Sequence, residues 1–189
     1  MPKIEEIERI EEREFGFVFA VGSEKIMKRK LKFHSQDELE YFIKTHDPLD
    51  CYVSVAFYTF PTAMEEWLGA ELFFDLDSKD NLKLAAVDAE TVYEVLLDDF
   101  GLEKVDMRFS GSKGYHVIVH DEEPRILRTP ERREIVDYFV LKYGVQTLDE
   151  ATSCDIRRLR RIAGSKNSRS GKFCKILKSS FNGKAKESF

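Results

Sequence analysis

Two carboxylates two residues apart end an apolar segment at residues 71–77, which reads Glu-Leu-Phe-Phe-Asp-Leu-Asp. In a β-strand, alternate side chains point to the same face, so Asp75 and Asp77 would lie side by side with Cα atoms roughly 6.5 Å apart. Such a pair repels unless a cation lies between its members, and hard divalent ions prefer oxygen ligands. The pair therefore predicts a site for Mg²⁺ or Mn²⁺. The simpler interpretation is an acidic strand end that enters the polar turn at 77–81.

A glycine-containing loop forms the second candidate feature, at residues 110–116, which read Ser-Gly-Ser-Lys-Gly-Tyr-His. Its glycines let backbone amides approach an anion, and Ser110 and Lys113 add a hydroxyl donor and a positive charge. His116, at the start of the next strand, is placed to donate to a phosphate oxygen. The alternative is a polar hairpin loop, since the spacing is not that of a Walker A loop.

The third feature combines Asp149 with a basic stretch that follows it. Asp149 would supply a third metal ligand if the fold returns it to the 71–77 strand. The stretch at 157–169 includes Arg161, Ser165 and Asn167, residue types that bind phosphates. Residues 155–189 carry eleven basic and two acidic residues, a local charge of +9 in a chain of net charge −5. This asymmetry indicates an anionic partner, and the alternative is a solvated basic surface.

The elements that would position these groups are mixed. Period-two alternation predicts strands, and helical spacing with caps predicts helices. The predicted strands cover 15–21, 28–33, 51–58, 71–77, 105–109, 115–119 and 173–177, and the predicted helices cover 4–10, about ten residues after Ser35, 88–100, 129–143 and 155–162. Adjacent antiparallel strands favour an α+β fold with mixed, largely antiparallel sheets and flanking helices. We expect a single domain over 1–189, with a short helical segment at about 125–145.

Composition excludes several classes of protein. The 189 residues are 42% hydrophobic, and no apolar run approaches the roughly 18 residues of a membrane-spanning helix. No secretory signal is visible, so an intracellular protein is expected. The three cysteines are dispersed and the four histidines do not cluster with them, so neither a disulfide framework nor a structural zinc site is predicted.

Taken in order, these segments resemble the motifs of the archaeo-eukaryotic primase superfamily, in particular the small catalytic subunits of DNA primase. Residues 71–77 resemble the first motif, 110–117 resemble the second, S-G-x-(R/K)-G-x-H, and 148–152 with 158–165 resemble the third. The resemblance implies a primase catalytic core that attaches nucleotides by attack of a 3′-hydroxyl on an α-phosphate. The implied metal ligands, for Mg²⁺ or Mn²⁺, are Asp75, Asp77 and Asp149, and the implied nucleotide-phosphate ligands are Ser110, Lys113, His116, Arg161, Ser165 and Asn167.

The same resemblance implies partners and a place of action. Nucleoside triphosphates and a single-stranded DNA template would be the substrates, a primase large subunit would be a further partner, and no membrane would be involved. The protein would work in DNA replication or repair, in the cytoplasm and at the nucleoid.

Two departures from the family pattern keep alternatives open. Residues 78–109 contain neither Cys nor His, where the family carries a zinc-binding cluster, and Asn167 stands where the family has His. The first alternative is a non-catalytic primase-like protein that binds nucleotide, single-stranded nucleic acid or a replication partner. The second is the zinc-free polymerase domain associated with bacterial end-joining ligases, although residues 157–171 are more like those of a primase.

Overall fold

The computed structural model describes residues 2–181, and this range contains ten β-strands and four α-helices. In chain order they are β1 (Phe15–Val21), β2 (Glu24–Leu31), α1 (Gln36–His46), β3 (Asp50–Ser54), β4 (Ala56–Phe60), β5 (Glu65–Ala70), β6 (Leu72–Asp77), α2 (Leu82–Asp98), β7 (Val105–Phe109), β8 (Gly114–Val119), α3 (Thr129–Tyr143), α4 (Glu150–Ser153), β9 (Leu159–Arg161) and β10 (Lys175–Ser179).

The chain forms two compact units, and each is built from two separate stretches of sequence. The first unit contains residues 2–70 and 157–174, and the second contains residues 71–156 and 175–181. The single catalytic domain expected from the sequence stays a prediction beside this division.

The first unit contains an antiparallel four-stranded sheet in the order β2-β1-β3-β9 and a separate hairpin of β4 and β5. Alternation along β1 buries Phe15 and Phe17, which pack in one apolar cluster with Leu39 and Ile43 of α1. The helix begins where the side chain of Ser35 accepts a hydrogen bond from the Glu38 amide. Local capping and one apolar face thus fix α1 against this sheet.

The second unit contains an antiparallel four-stranded sheet in the order β10-β7-β8-β6, with α2 and α3 packed in its core. Leu72, Phe74 and Leu76 of β6 are buried there together with Leu96 of α2. The ring of Phe74 lies edge-on to that of Phe139 in α3, with 5.3 Å between centroids. One face of β6 is therefore apolar and covered, and its other residues point to the opposite face.

The predicted fold class is confirmed, because both units combine helices with antiparallel sheets. The predicted hairpin of β7 and β8 is present, with Phe109 opposite Tyr115. Within residues 2–181, none of the helices combines the length and the apolar composition needed to cross a bilayer.

Three predictions about elements were wrong. The segment 4–10 is not a helix: Ile4 and Ile7 are buried in the core of the first unit, and only a 3₁₀ turn at Ile10–Glu12 follows them. The segment 155–162 is not a helix, because its residues 159–161 pair with β3 as strand β9. The single strand predicted at 51–58 is two strands, separated at Val55, whose amide donates to the carbonyl of Arg158.

Candidate active site

The two carboxylates predicted as metal ligands lie on one face of β6. Because Phe74 and Leu76 point into the core, alternation directs Asp75 and Asp77 to the opposite face. The side chain of Asp75 is 14% exposed and that of Asp77 is 27% exposed. Both side chains are therefore partly exposed while their strand is fixed from the other side.

The chain returns to β6 at residues 147–149, directly beside this pair. The Asp77 amide donates to the carbonyl of Thr147 at 2.9 Å, and the Asp149 amide donates to the carbonyl of Asp75 at 2.8 Å. Between them, Leu76 and Leu148 form an antiparallel bridge. The backbone of the third predicted ligand thus lies next to that of the first two, as the sequence analysis required.

The short helix α4 orients Asp149 and braces Asp75. Asp149 is the N-cap of α4, and its Oδ1 accepts a hydrogen bond from the Thr152 amide at 2.9 Å. The hydroxyl of Ser153, in the same helix, accepts the Asp75 amide at 3.1 Å. The cap therefore fixes the position of the Asp149 side chain at this edge.

A basic side chain faces each carboxylate of β6. Lys113 Nζ lies 2.5 Å from Asp77 Oδ2, and His116 Nε2 lies 3.6 Å from Asp75 Oδ1. Strand register explains both pairs, because β8 runs antiparallel to β6. His116 lies opposite Asp75, and Gly114, the residue after Lys113, lies opposite Asp77. The ring of Phe73 packs against that of His116, with 4.9 Å between centroids. The two carboxylates of β6 therefore face two basic side chains, one from β8 and one from the loop before it.

The glycine loop is the tight connection between β7 and β8. The Ser110 amide donates to the carbonyl of Gly114 at 3.0 Å, and Gly111 has a φ of 90°, a backbone conformation that favours glycine. At Gly114, a Cβ would overlap both the carboxylate of Asp77 and the carbonyl oxygen of Leu76. A side chain at this position would therefore push β8 away from the strand that carries the carboxylates.

A buried charged network, which the sequence analysis missed, lies on the same sheet. His120 Nε2 lies 2.6 Å from Asp106 Oδ2, and its Nδ1 lies 3.4 Å from Glu71 Oε1. Arg108 donates from Nε and Nη2 to the two oxygens of Asp106, at 2.7 and 2.6 Å. The available signal was alternation: His120 shares a face with His116, and Asp106 and Arg108 alternate with apolar β7 residues.

The charges of this network are fixed by mutual contact. Burial alone would lower the pKa of His120, but hydrogen bonds and attraction to Asp106 and Glu71 raise that pKa to about 9. Burial would raise the pKa of Asp106, whereas Arg108 and His120 hold it well below its ordinary value. His120 is thus protonated and Asp106 is ionised at neutral pH.

The remaining predicted site residues belong to the first unit. The guanidinium of Arg161 is buried and donates to Asp50 Oδ1 at 2.6 Å and to the Tyr52 hydroxyl at 2.7 Å. Ser165 donates from its hydroxyl to the carbonyl of Ile162 at 2.6 Å.

Asn167 is also tied to its own loop, because its Oδ1 accepts the Arg169 amide at 3.0 Å. Lys166 and Lys172 are exposed on the same loop, whereas residues 182–189 of the basic segment, with Lys184, lie outside the described residues. The structure therefore gathers six of the nine predicted site residues in the second unit: Asp75, Asp77, Ser110, Lys113, His116 and Asp149.

The donor set fits a hard divalent cation in its chemistry, because three carboxylates lie on paired backbone segments. The side chains of Asp77 and Asp149 nevertheless have protein partners, Lys113 and the Thr152 amide. No group of three or more His, Cys, Asp or Glu within residues 2–181 is already arranged to hold a metal ion. The three cysteines are free and buried, and the absence of structural zinc stays a prediction.

The part of the chain that carries most of these features resembles known proteins. Residues 74–145, which include the end of β6, the glycine loop and α3, match the family model for the DNA primase small subunit. DNA primase small subunit PriS of Methanocella arvoryzae is 40% identical, over 68% of this chain and 37% of the relative. PriS of Thermococcus kodakarensis is 36% identical, over 80% of this chain and 46% of the relative.

Among solved structures, the catalytic domain of primase RepB′ in complex with initiator DNA has a TM-score of 0.52. The likeness covers 89% of this chain and 78% of that chain at 17% sequence identity, which shows the fold alone. The fold is therefore that of a primase catalytic domain. With its sequence relatives, the chain belongs to the DNA primase small subunit family of the archaeo-eukaryotic primases. It spans less than half the length of these two curated relatives.

Proposed function

We propose that this chain is the catalytic core of a DNA primase small subunit, a nucleotidyltransferase that makes or extends primers on a DNA template. The observation that supports it most is the pairing of residues 147–149 with β6. This pairing gives three carboxylates neighbouring backbone positions beside the tight loop at 110–114. A carboxylate cluster next to basic and amide donors suits a reaction in which a triphosphate approaches a metal-activated hydroxyl.

In the proposed reaction, the 3′-oxygen of a primer forms a bond with the α-phosphorus of a nucleoside triphosphate. The bond from that phosphorus to pyrophosphate breaks, and the hydroxyl proton passes to solvent. Divalent ions held by Asp75, Asp77 and Asp149 would lower the pKa of the hydroxyl and neutralise the leaving pyrophosphate.

The chain's own residues would bind and orient the triphosphate. Lys113 would leave Asp77 and pair with phosphate oxygens, so that one anion replaces another beside its ammonium group. Ser110 and the amides of the loop would donate to the same phosphates, because glycines allow close backbone approach. His116, packed on Phe73, has little rotational freedom and would donate from a fixed position.

We also propose three phosphate ligands within the first unit: Arg161, Ser165 and Asn167. Arg161 is held in place by Asp50 and Tyr52, so its ordering cost is already met before a ligand binds. Asn167 can donate a hydrogen bond but carries no charge, in contrast to a protonated histidine.

The proposed substrates and partners follow from family membership. They are nucleoside triphosphates, a single-stranded DNA template and a primase large subunit. Such a protein would act inside the cell at replicating DNA, with no membrane partner.

Primer extension on single-stranded DNA with Mn²⁺, with ribo- and deoxynucleotides in separate reactions, tests this proposal. Because Asp77→Asn removes one charged ligand, we expect it to lower incorporation by about 10²-fold or more. Asp80→Asn, an exposed carboxylate three residues further on, is the matched control and should stay within about twofold of the parent. Equal rates for parent and Asp77→Asn would contradict the assignment.

A non-catalytic, primase-like binding protein is the second candidate. The ion pair between Lys113 and Asp77 favours it, because that pair is compatible with a site that binds no metal. A parent protein that binds nucleotide and single-stranded DNA but incorporates no nucleotide with either metal would favour this candidate over the first.

A further inference from the structure

Asp88, in the middle of α2, is a buried carboxylate with an unusual set of partners. It is 6% exposed, and its Oδ2 accepts three hydrogen bonds. They come from the Gln146 amide at 2.9 Å, the Thr147 amide at 2.8 Å and the Thr147 hydroxyl at 2.9 Å. A buried carboxylate is costly unless it is well hydrogen-bonded, and hydrogen bonds to a charged acceptor are among the strongest in proteins. Asp88 therefore anchors one short piece of backbone firmly.

The anchored piece leads directly to the candidate active site. The carbonyl of Thr147 accepts the Asp77 amide, and two residues later the Asp149 amide donates to Asp75. Asp88 thus holds Gln146 and Thr147 at the start of the segment that pairs with β6. Asp88 is not one of the residues proposed to hold a metal ion or substrate. It lies in α2, on a different element from all three predicted metal ligands.

We propose that Asp88 is a positioning residue, which sets the register of residues 146–149 against β6 and thereby places Asp149 beside Asp75 and Asp77. The inference rests on the proposed function, since it concerns the site that would bind the divalent ion. An extended chain advances about 3.3 Å per residue, and a slip of one residue turns each side chain to the other face. Metal ligands must lie within a few tenths of an ångström of their ideal distances, so such a slip would remove Asp149 from the donor set.

Hydrogen exchange followed by NMR tests the register directly in the full chain. In Asp88→Ala, the amides of Gln146 and Thr147 lose their acceptor, so their loss of protection proves little. The informative amides are those of Asp77 and Asp149, which donate to backbone carbonyls and not to Asp88. We expect their protection to fall at least tenfold, while the amides that join β7 to β8 keep theirs. Unchanged protection at Asp77 and Asp149 would overturn the proposal.

Mn²⁺ binding, measured by electron paramagnetic resonance without nucleotide or DNA, tests the consequence for the site. Loss of a residue that orients a metal ligand typically costs 10- to 100-fold in affinity, and we expect a rise of that size in the dissociation constant of Asp88→Ala. In an Asp149→Ala background, the same substitution should have almost no further effect, because the ligand that it positions is already absent. An equal loss in both backgrounds would show a general structural effect and overturn the proposal.

Two further variants keep the test decisive. Asp88→Asn keeps one oxygen acceptor but not the charge, so it should fold and weaken Mn²⁺ binding by a few-fold. Asp88→Asn replaces Asp88→Ala in these tests if the alanine variant does not fold. A folded Asp88→Asn that binds Mn²⁺ as tightly as the parent would then overturn the proposal. Glu94→Ala, at an exposed carboxylate of the same helix, is the control and should bind Mn²⁺ like the parent. A parent that binds no Mn²⁺ would overturn the proposed function and this inference together, whereas failure of the inference alone leaves parental binding intact.

Discussion

Replacement of Gly114 by alanine would test how closely the glycine loop and the carboxylate strand depend on each other. The added Cβ would overlap the carbonyl oxygen of Leu76 and the Asp77 carboxylate, and it would lie 3.0 Å from the Asp77 Cα. Since two of these atoms are backbone, rotation of a side chain cannot relieve the overlap, and β8 must move from β6. Overpacking of this kind costs about 1–3 kcal/mol. For a chain of 189 residues, that predicts a fall in Tm of about 2–12 °C.

The same displacement should also reduce the rate of nucleotide incorporation. It moves Asp77 relative to Lys113, and a shift of about 1 Å in an active site can cost about 10²-fold in rate. The assays are thermal unfolding by circular dichroism and primer extension at a temperature where the variant is folded. Gly101→Ala is the matched control. Gly101 has a φ of +64° and, beyond its chain neighbours, no atom lies within 4 Å of the point where a Cβ would be. This variant should lose about 1–2 kcal/mol of folding stability through backbone strain and no activity. A Gly114→Ala variant with parental Tm and parental incorporation would refute the reasoning.

Three other predictions follow from the charged groups and the cysteines. The pKa of His120 rises from 6.5 to about 9 on folding, so its contribution is fully present below pH 6.5 and is lost as pH rises to 9. Urea unfolding should show the parent losing up to about 3 kcal/mol over this interval, and an equal loss in His120→Gln would contradict the assignment. Arg161→Ala should raise the apparent nucleotide KM about tenfold, whereas Lys184→Ala, outside the described residues, should change it little. Steady-state kinetics of the two variants tests this, and equally small effects on KM would favour the non-catalytic candidate. Elemental analysis of protein purified without added metal should find no stoichiometric zinc, and zinc bound by cysteines would contradict this.

Local signals in the sequence predicted the elements that local interactions stabilise. The capping pattern at Ser35 located α1, and alternation with a glycine loop located the hairpin of β7 and β8. Helix α2 begins at Leu82 and not at the predicted residue 88, because the side chain of Asn81 caps it by accepting the Leu84 amide.

The three segments whose elements were wrongly predicted depend on distant partners for their conformation. In the N-terminal segment, the Glu5 amide donates to the carbonyl of Ala163, and this contact with a distant segment accompanies a chain without regular structure where spacing predicted a helix. Strand β9 pairs with β3 across more than 100 residues, with Arg161 opposite Tyr52. Helical spacing within 155–162 carried no information about that partner.

For the candidate site, the residue types and their order were predictable from the sequence. The contacts that hold those residues in place were not. Asp75 and Asp77 could be placed on one face because the period of a strand is local. The return of Asp149 to that face could only be stated as a condition, since it depends on the pairing of 147–149 with β6. The contact of Asp88 with Thr147 spans 59 residues and has no counterpart in any local pattern. The roles of these residues as ligands stay predictions.

The interleaving of the two units has a consequence for the nascent chain on the ribosome. Each sheet is completed by a late strand: β9 joins the first unit and β10 joins the second. At about 5–20 residues per second, β9 is synthesised roughly 5–20 s after β3, and throughout that time the edge of β3 has no partner strand. An open edge of a hydrophobic strand is a template for pairing with another chain. The first unit should therefore be most prone to aggregation while the second is being translated, and residues 2–70 expressed alone should remain in that state.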